Sequence, residues 1–229
     1  MTSIELKYPE PHLLWPGAIL GSIAHALIVA RYPDLAHEQS WDENNYCVQD
    51  SAGSRGTVAF SEKRFVAVFF SENSVRNPFN SNDPYDIQRF LIGLPDDLAT
   101  LAHQEALQYV LQEYDGTASP VITSAFWGDA KQAEVGAAEA WEDVFQNGAF
   151  LIKNQMLPQD EALAAWHSEY ELSDEETAFV KSLFLRKLSQ PQTQLVLTTS
   201  ELSLLKSLSQ DEQGLEASRE SFLEINISL

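Results

Sequence analysis

The strongest hydrophobic pattern is a helical periodicity between Gly17 and Arg31, where bulky apolar residues recur every three or four positions. Beside that stripe runs a second one of small residues, formed by Ala18, Ser22, Ala26 and Ala30. Small side chains let another backbone come close, so we predict a helix buried at the centre of a core. The surrounding uncharged stretch contains proline, glycine and histidine and lacks the basic flank of a signal peptide, which favours a core helix over a membrane span.

Short apolar runs separated by polar turns between residues 45 and 70 predict an antiparallel meander. The predicted strands are 46–49, 57–60 and 65–70, with further strands near 120–127 and 194–198. The run at 65–70 is apolar on both faces, which is typical of a central strand covered on both sides. A loop rich in asparagine and proline follows at 71–85, and loops of this length are uncommon without a functional reason.

The remaining sequence shows mainly helical periodicity. The predicted helices are 95–114, 133–147, 150–156, 158–170, 173–190, 200–208 and 211–223, followed by a short strand at 225–229. Ser173 and Glu176 have the spacing of a capping box, in which we expect Ser173→Ala to be costly and Glu176→Ala to be milder. Helices and strands do not alternate as βαβ units, so the predicted class is α+β, predominantly helical around a small antiparallel sheet.

Length and composition predict a globular protein with a core of its own. The 229 residues are 44% apolar, and we expect one domain over 1–229, with a subdivision into a sheet-containing part, 1–128, and a helical part, 129–229, as the alternative. Cys47 is the single cysteine, so no internal disulfide forms and a cytoplasmic location is expected. Its place in a predicted strand indicates a small buried residue rather than a nucleophile.

Charge limits the classes of partner. The net charge is −20, and Pro158–Glu176 holds seven acidic residues with no lysine or arginine. Such a field repels nucleic acid and anionic membranes, so neither is an expected partner, and it favours encounter with a basic protein. Solubility alone is the plainer explanation, as in many acidic bacterial proteins of the cytosol.

Motifs that carry a defined chemistry are absent from the sequence. It contains no phosphate-binding glycine loop, dinucleotide fingerprint, nucleophile elbow or Cys-x-x-Cys pair. The histidines are His12, His25, His37, His103 and His167. Since no two of them have the spacing of a helical metal site, neither a metal nor a cofactor is expected, and the sequence favours an interaction protein over an enzyme.

Two groups of polar and aromatic residues are candidates for binding a partner or ligand. The candidates are Trp41, Asp42, Asn44, Asn45, Arg55, Arg76, Trp127 and Asp129. Tryptophan, asparagine and arginine are typical anchors of interfaces, and the ends of meander strands can meet at one rim of a sheet. The alternative is purely structural, with Trp41 in the core and with Asp42 and Asn44 capping a turn.

Two functional hypotheses follow from these features. In the first, the protein is a non-enzymatic, immunity-like or neutralising protein that covers the basic site of a partner protein. In the second, it is a small-molecule-binding protein or an enzyme that uses the polar rim of the meander, whose residues would be Asp42, Glu43, Asp50, Arg55, Glu72 and Arg76. There carboxylates would supply acid–base groups and arginine would hold an anion. The first hypothesis is favoured because no catalytic spacing supports the second.

Overall fold

The chain forms two compact units in a computed structural model that describes residues 10–81 and 84–229. Unit 1 comprises Asn44–Lys153 together with the segment that ends at His12. Unit 2 comprises Leu13–Glu43 and Asn154–Leu229. Its two segments are therefore separated in the chain by Asn44–Lys153 of unit 1. The predicted α+β class is confirmed, because both helices and a largely antiparallel set of strands are present.

Regular elements account for most of both units. The helices are α1 (Leu14–Val29), α2 (Asp96–Gln104), α3 (Trp141–Gln146), α4 (Gln159–Glu169), α5 (Asp174–Ser189), α6 (Thr199–Leu208) and α7 (Glu212–Glu224). The strands are β1 (Gln39–Asp42), β2 (Asn45–Gln49), β3 (Arg55–Phe60), β4 (Arg64–Phe70), β5 (Leu111–Tyr114), β6 (Thr117–Pro120), β7 (Ser124–Asp129), β8 (Ala133–Val135), β9 (Leu195–Val196) and β10 (Ile227–Ser228).

Unit 1 is built on an antiparallel sheet in which its strands follow the order β2-β3-β4-β7-β8. The meander predicted over 45–70 is confirmed as β2, β3 and β4, with Val58 opposite Ala67 and Val66 opposite Trp127. Almost every residue of β4 is buried, as expected for a central strand covered on both faces. Leu98 and Ala102 of α2 belong to the core that covers one of those faces.

Unit 2 is organised around α1, which is apolar on all sides and buried along nearly its whole length. Ala18, Ser22, Ala26 and Ala30 are at most 5% exposed, which confirms the prediction that the small-residue stripe faces the core. By length and composition Pro11–Val29 would suffice to cross a membrane, but 78% of its most apolar window is buried within the protein. That burial is the ordinary condition of a core helix.

Helix α7 packs against the small-residue stripe of α1. Gly214 and Ser218, one helical turn apart, lie against the end of α1: the Ser218 hydroxyl donates to the Ala26 carbonyl oxygen at 2.6 Å. A β-carbon at Gly214 would overlap the carbonyl oxygen of Ala30. The two helices therefore pack at backbone contact, and a glycine is required at the point of closest approach.

Two predicted helices were wrong over much of their length. The helix predicted over 95–114 stops at Gln104, and the chain then forms the β5–β6 hairpin. Asp115 and Gly116 both have positive φ, as in a type I′ hairpin turn, so this dipeptide reverses a strand pair rather than ending a helix. The helix predicted over 133–147 is a strand, β8, followed by the single short helix α3, because hydrogen bonding to β7 overrides helical propensity there.

The strand predicted over 194–198 forms, but outside the main sheet. β9 pairs in parallel with β10, with Leu195 opposite Ile227, and both strands belong to unit 2. The alternation of apolar residues at the end of the chain correctly predicted the partner strand. Residue 128, the predicted point of subdivision, lies in β7 within unit 1. Whether the chain folds as a single domain stays a prediction.

The capping box at α5 forms as predicted, but its glutamate has a second role. The Ser173 hydroxyl accepts from Glu176 N at 3.2 Å, and Glu176 Oε2 accepts from Ser173 N at 2.6 Å. Glu176 is also buried in an ion pair with Arg31. The structure therefore favours the opposite order of costs, because Glu176→Ala also leaves a half-buried guanidinium without its carboxylate.

We expect Ser173→Ala to lower the free energy of unfolding by about 0.5–2 kcal/mol and Glu176→Ala to lower it by more. Urea denaturation of the two variants and of the parent measures both changes. Ser203→Ala, at an exposed position inside α6, is the matched control and should change stability by less than about 0.5 kcal/mol. A smaller loss for Glu176→Ala than for Ser173→Ala would contradict the role of the Arg31 ion pair.

A second stability prediction concerns the close approach of α7 to α1. In an exposed helix, replacing glycine with alanine adds about 0.5–1 kcal/mol of stability. At Gly214 the added methyl group meets the Ala30 carbonyl, so we expect Gly214→Ala to destabilise by about 1–3 kcal/mol instead. Gln213→Ala, at the exposed neighbouring position, is the control and should be nearly neutral. A stabilised Gly214→Ala variant would show that the helices are not in backbone contact.

Candidate functional site

The outward face of α7 carries a line of four glutamates. Gly214, Ser218 and Phe222 point into unit 2, and Glu212, Glu216, Glu220 and Glu224 recur at the same four-residue spacing on the opposite side of the helix. All four glutamates are exposed. We call these four residues, together with Asp42 at the end of β1, the acidic ridge. The inward packing of α7 on α1 fixes the direction in which the ridge faces.

Little within unit 2 compensates the charge of the ridge. Glu216 pairs with Arg219 at 2.5 Å, and the last turn of α7 contains no basic residue. Glu220 and Glu224 therefore lie at the negative end of the helix dipole, where cations are preferred and anions are unfavourable. Like charges four residues apart on a helix also cost about 0.2–0.5 kcal/mol per pair. Glu212 is favoured in the first turn and Glu216 is paired, so the unfavourable charges of the row are those of Glu220 and Glu224.

Two of the predicted binding residues, Trp41 and Asp42, lie at the end of this ridge. The backbone N–H of Trp41 donates to Glu224 Oε2 at 2.9 Å, and its indole Nε1 donates to Ser22 Oγ at 2.8 Å. Burial raises the pKa of Glu224, and the negative charges of Glu220 and Asp42 raise it further. The carboxylates of the ridge therefore lie close together, and Glu224 ionises at a higher pH than an isolated glutamate.

The acidic segment that was conspicuous in the sequence, Pro158–Glu176, has structural roles instead. Five of its seven acids lie in the first turns of α4 and α5, where the helix dipole favours negative charge. Glu169 ends α4 and accepts from Asn154 Nδ2 at 2.9 Å, and Glu171 follows that helix. Asp160 pairs with Lys181 at 3.2 Å, and Glu176 is buried with Arg31. Most of the charges in this segment therefore have an explanation in folding.

The polar rim expected on the meander does not exist as one site. Antiparallel pairing places Asn45 opposite Ala59 and Gln49 opposite Arg55, so Asn45 and Arg55 lie at opposite ends of the sheet. Glu72 and Arg76 follow the end of β4 that lies beside Arg55. Asn44 and Asp129 lie at the other end. The expectation that all these residues converge was wrong, because strand pairing separates the start of β2 from the end of β4.

Three of the remaining candidates have local structural roles. Asn45 is buried and its amide donates to Glu105 Oε2 at 2.9 Å. Asp129 Oδ1 accepts from the backbone N–H of Lys131 at 2.7 Å, and the resulting hydrogen bonds lower the pKa of Asp129. Trp127 is 1% exposed in the core of unit 1, so it is not the surface anchor that the sequence suggested.

A second surface, in unit 1, brings together arginines and aromatic rings. The long loop after β4 and the segment around Tyr85 enclose a groove of about 290 Å³. Its lining residues are Val75, Arg76, Pro78, Ser81, Pro84, Tyr85, Asp86, Arg89 and Phe90, and we call it the arginine groove. Two guanidinium groups lie over the Phe90 ring, with the carbon of Arg76 at 5.7 Å and that of Arg89 at 5.0 Å.

Neither metal chemistry nor a catalytic histidine is indicated in the part of the chain that the structure describes. Among residues 10–81 and 84–229, no three histidine, cysteine, aspartate or glutamate side chains form a group that could hold a metal ion. His25 lies inside unit 2 with Nδ1 3.4 Å from the Tyr170 hydroxyl, and burial lowers its pKa to about 4. It is therefore neutral at physiological pH, as expected for a core histidine.

Sequence reasoning missed the acidic ridge although its signal was readable. Glutamate at every fourth position from 212 to 224 alternates with Gly214, Ser218 and Phe222, which is a two-faced helix. The number of charges is highest in Pro158–Glu176, but the position of a charge along its helix decides whether it is favourable there. Acids in a first turn are favourable, while acids along a whole face are not.

Two glutamates of the ridge, Glu216 and Glu224, should respond to neutralisation with opposite signs. The folded-state pKa of Glu224 is raised, so its ionisation opposes folding as pH rises through that pKa, and Glu224→Gln should raise the urea midpoint at pH 7. That gain should shrink as pH falls through the raised folded-state pKa and should vanish once the glutamate is protonated in both states. The hydrogen bonds from Arg219 lower the pKa of Glu216, so Glu216→Gln should lower the midpoint at pH 7 and lose its effect in acid. Changes of equal sign at pH 7 would contradict this assignment.

Comparison with known proteins adds no relative to this picture: no protein family, no curated protein and no solved structure matches the chain. What supports a function is the charge and geometry of the acidic ridge and of the arginine groove.

Proposed function

We propose that this protein is a non-enzymatic interaction protein that binds a basic partner protein through the acidic ridge, as an immunity or neutralising protein does. The observation that carries the proposal is the row of exposed glutamates along α7, in which Glu220 and Glu224 lie toward the unfavourable end of the helix dipole and Arg219 is the single basic residue of the helix. A partner with lysine or arginine side chains would remove the repulsion within the ridge and gain ion pairs at the same time. The acidity would then be functional and not only a source of solubility.

The spacing of the ridge suggests the form of its partner. Residues four apart on a helix are separated by about 6 Å along its axis, so the ridge presents a carboxylate at each such step over about 18 Å. A matching surface would carry basic side chains at a similar interval, as a groove that receives the phosphates of nucleic acid does. Leu223 is 38% exposed beside the ridge and would add apolar contact area.

The cysteine content bears on the compartment in which the protein would act. A single cysteine, with no disulfide possible within the chain, supports action in the reducing cytoplasm. The net charge of −20 disfavours direct binding to nucleic acid or to anionic lipid, so we propose that the partner is a protein.

A second candidate function, binding of a small molecule, is favoured by one observation in unit 1, the arginine groove. The acid–base version of this candidate, which needs the rim residues together, gains no support because Asn45 and Arg55 lie at opposite ends of the sheet. An occupant of the arginine groove would be a small molecule and not a basic protein.

The proposal is tested by two variants that remove the same amount of charge from different surfaces. One is the triple variant Glu212→Gln, Glu216→Gln and Glu220→Gln on the ridge. The matched control is Glu161→Gln, Glu171→Gln and Glu175→Gln around α4 and α5, whose residues are equally exposed. The probe is a decalysine peptide, followed by isothermal titration calorimetry at low and at physiological salt.

We expect the ridge variant to weaken decalysine binding about tenfold and the control variant to change it less, because three exposed ion pairs are worth about 0.2–1 kcal/mol each. Binding of the parent should weaken steeply with salt, since exposed charges are screened over about 8 Å at physiological ionic strength. A pull-down from lysate with each variant then asks whether a protein partner is lost with the ridge alone. Equal losses in the two variants would show that the acidity attracts cations without a defined site.

A further inference from the structure

The long loop after β4 is held rigidly by its own side chains. Ser74 Oγ donates to Asn147 Oδ1 at 2.5 Å, and the buried Asn77 amide donates to the Glu72 carbonyl oxygen at 2.8 Å. Arg76 donates to Glu139 Oε2 at 2.5 Å in an ion pair that is largely shielded from solvent. An irregular segment tied down in this way forms one fixed wall of the arginine groove, so the groove does not have to be assembled when a ligand arrives.

The opposite wall is equally fixed. The Tyr85 hydroxyl donates to the Ile122 carbonyl oxygen at 3.0 Å and accepts from the Ile122 N–H at 2.7 Å. Its ring lies against Phe90 and Tyr114, with centroids 6.4 and 5.5 Å away. Burial raises the pKa of Tyr85 to about 12, so its hydroxyl carries no negative charge at physiological pH. The ring offers the groove an apolar face only, because both bonding capacities of the hydroxyl are used.

One cation of the groove has no assigned role. The charge of Arg76 is matched by Glu139, and the Asp86 carboxylate accepts from Gln88 N at 2.9 Å at the start of a short helical turn. Arg89 is exposed, and no hydrogen bond or ion pair to its guanidinium is found in the described ranges 10–81 and 84–229. Stacking over Phe90 orients the planar group beside the cavity. Among the described lining residues, Arg89 is therefore the charged hydrogen-bond donor whose guanidinium has no protein partner.

We propose that the arginine groove binds a small organic carboxylate with an apolar body, held by Arg89 through its carboxylate and by Val75, Pro78 and Tyr85 through its body. The volume of about 290 Å³ is close to the lower limit of small-molecule pockets and is too small for a folded partner. A carboxylate matches the planar fork of one guanidinium with two parallel hydrogen bonds. A phosphate dianion would lack a second free cation, because Glu139 holds Arg76.

The acidity of the whole chain does not prevent this binding. Charges beyond about 8 Å are strongly screened at physiological ionic strength, so Arg89 governs the field at the groove more than distant glutamates do. The site lies entirely within unit 1, whereas the acidic ridge belongs to unit 2. Its success or failure is therefore independent of the proposed protein partner.

Titration of the ¹⁵N-labelled full chain with three probes of similar size tests the chemistry of the ligand. Benzoate carries the proposed carboxylate and body, benzamide replaces the charge with a neutral amide, and phenyl phosphate replaces the carboxylate with a dianion. We expect benzoate to shift the amide signals of residues 75–78 and 84–90 and to bind at least tenfold more tightly than benzamide. Equal binding of benzoate and benzamide, or no shift of these signals at millimolar benzoate, would overturn the proposal. Tighter binding of phenyl phosphate would overturn the assignment to a carboxylate.

Variants then test the residues. Loss of a charged hydrogen-bond donor should weaken benzoate binding about 10- to 100-fold in Arg89→Gln and leave benzamide binding unchanged. Val75→Glu, at a position that is 92% exposed, should abolish benzoate binding by placing a negative charge at the rim without disturbing the fold. Lys63→Gln removes one exposed positive charge at the β3–β4 turn and should bind benzoate like the parent. Equal affinities for the parent and Arg89→Gln would show that the groove does not use its free guanidinium.

Discussion

The packing of α7 against α1 at backbone distance is the constraint on which unit 2 depends. Gly214 and Ser218 fit against Ala26 and Ala30 because none of these residues places a bulky side chain between the helices. Turning α7 by about half a turn about its axis would bring its glutamates into that contact, which would bury charges without partners. The same contact that stabilises the core therefore fixes the acidic ridge on the outside.

Position within a helix decides what a carboxylate does in this protein. Most acids of α4 and α5 occupy first turns, where the helix dipole favours them, and Glu176 also joins a capping box to a buried ion pair. The acids of α7 run along a whole face to its last turn, where they oppose the dipole. In the second arrangement the charges of Glu220 and Glu224 are unfavourable for the helix, and this cost is what supports the proposed binding function.

Unit 1 shows a comparable division between framework and surface. Its sheet gives a rigid frame in which β4 is covered on both faces, and the irregular segment after β4 is tied to that frame by Ser74, Asn77 and Arg76. Side-chain hydrogen bonds replace the regular backbone pairing that a loop lacks. The result is a preformed groove next to an arginine, built from residues that composition alone would assign to a solvated loop.

The sequence by itself determined the elements whose signals are local: the apolar and small-residue stripes of α1, the three meander strands, and the capping box at Ser173. Each of these rests on contacts between residues at most a few positions apart, which periodicity records directly. The tertiary structure alone decided that Asn45 and Arg55 lie at opposite ends of the sheet and that β8 pairs with β7 instead of continuing a helix. It also decided that Arg76 forms an ion pair with Glu139. Strand register and side-chain pairing join residues that are far apart in the chain, so no local pattern specifies them.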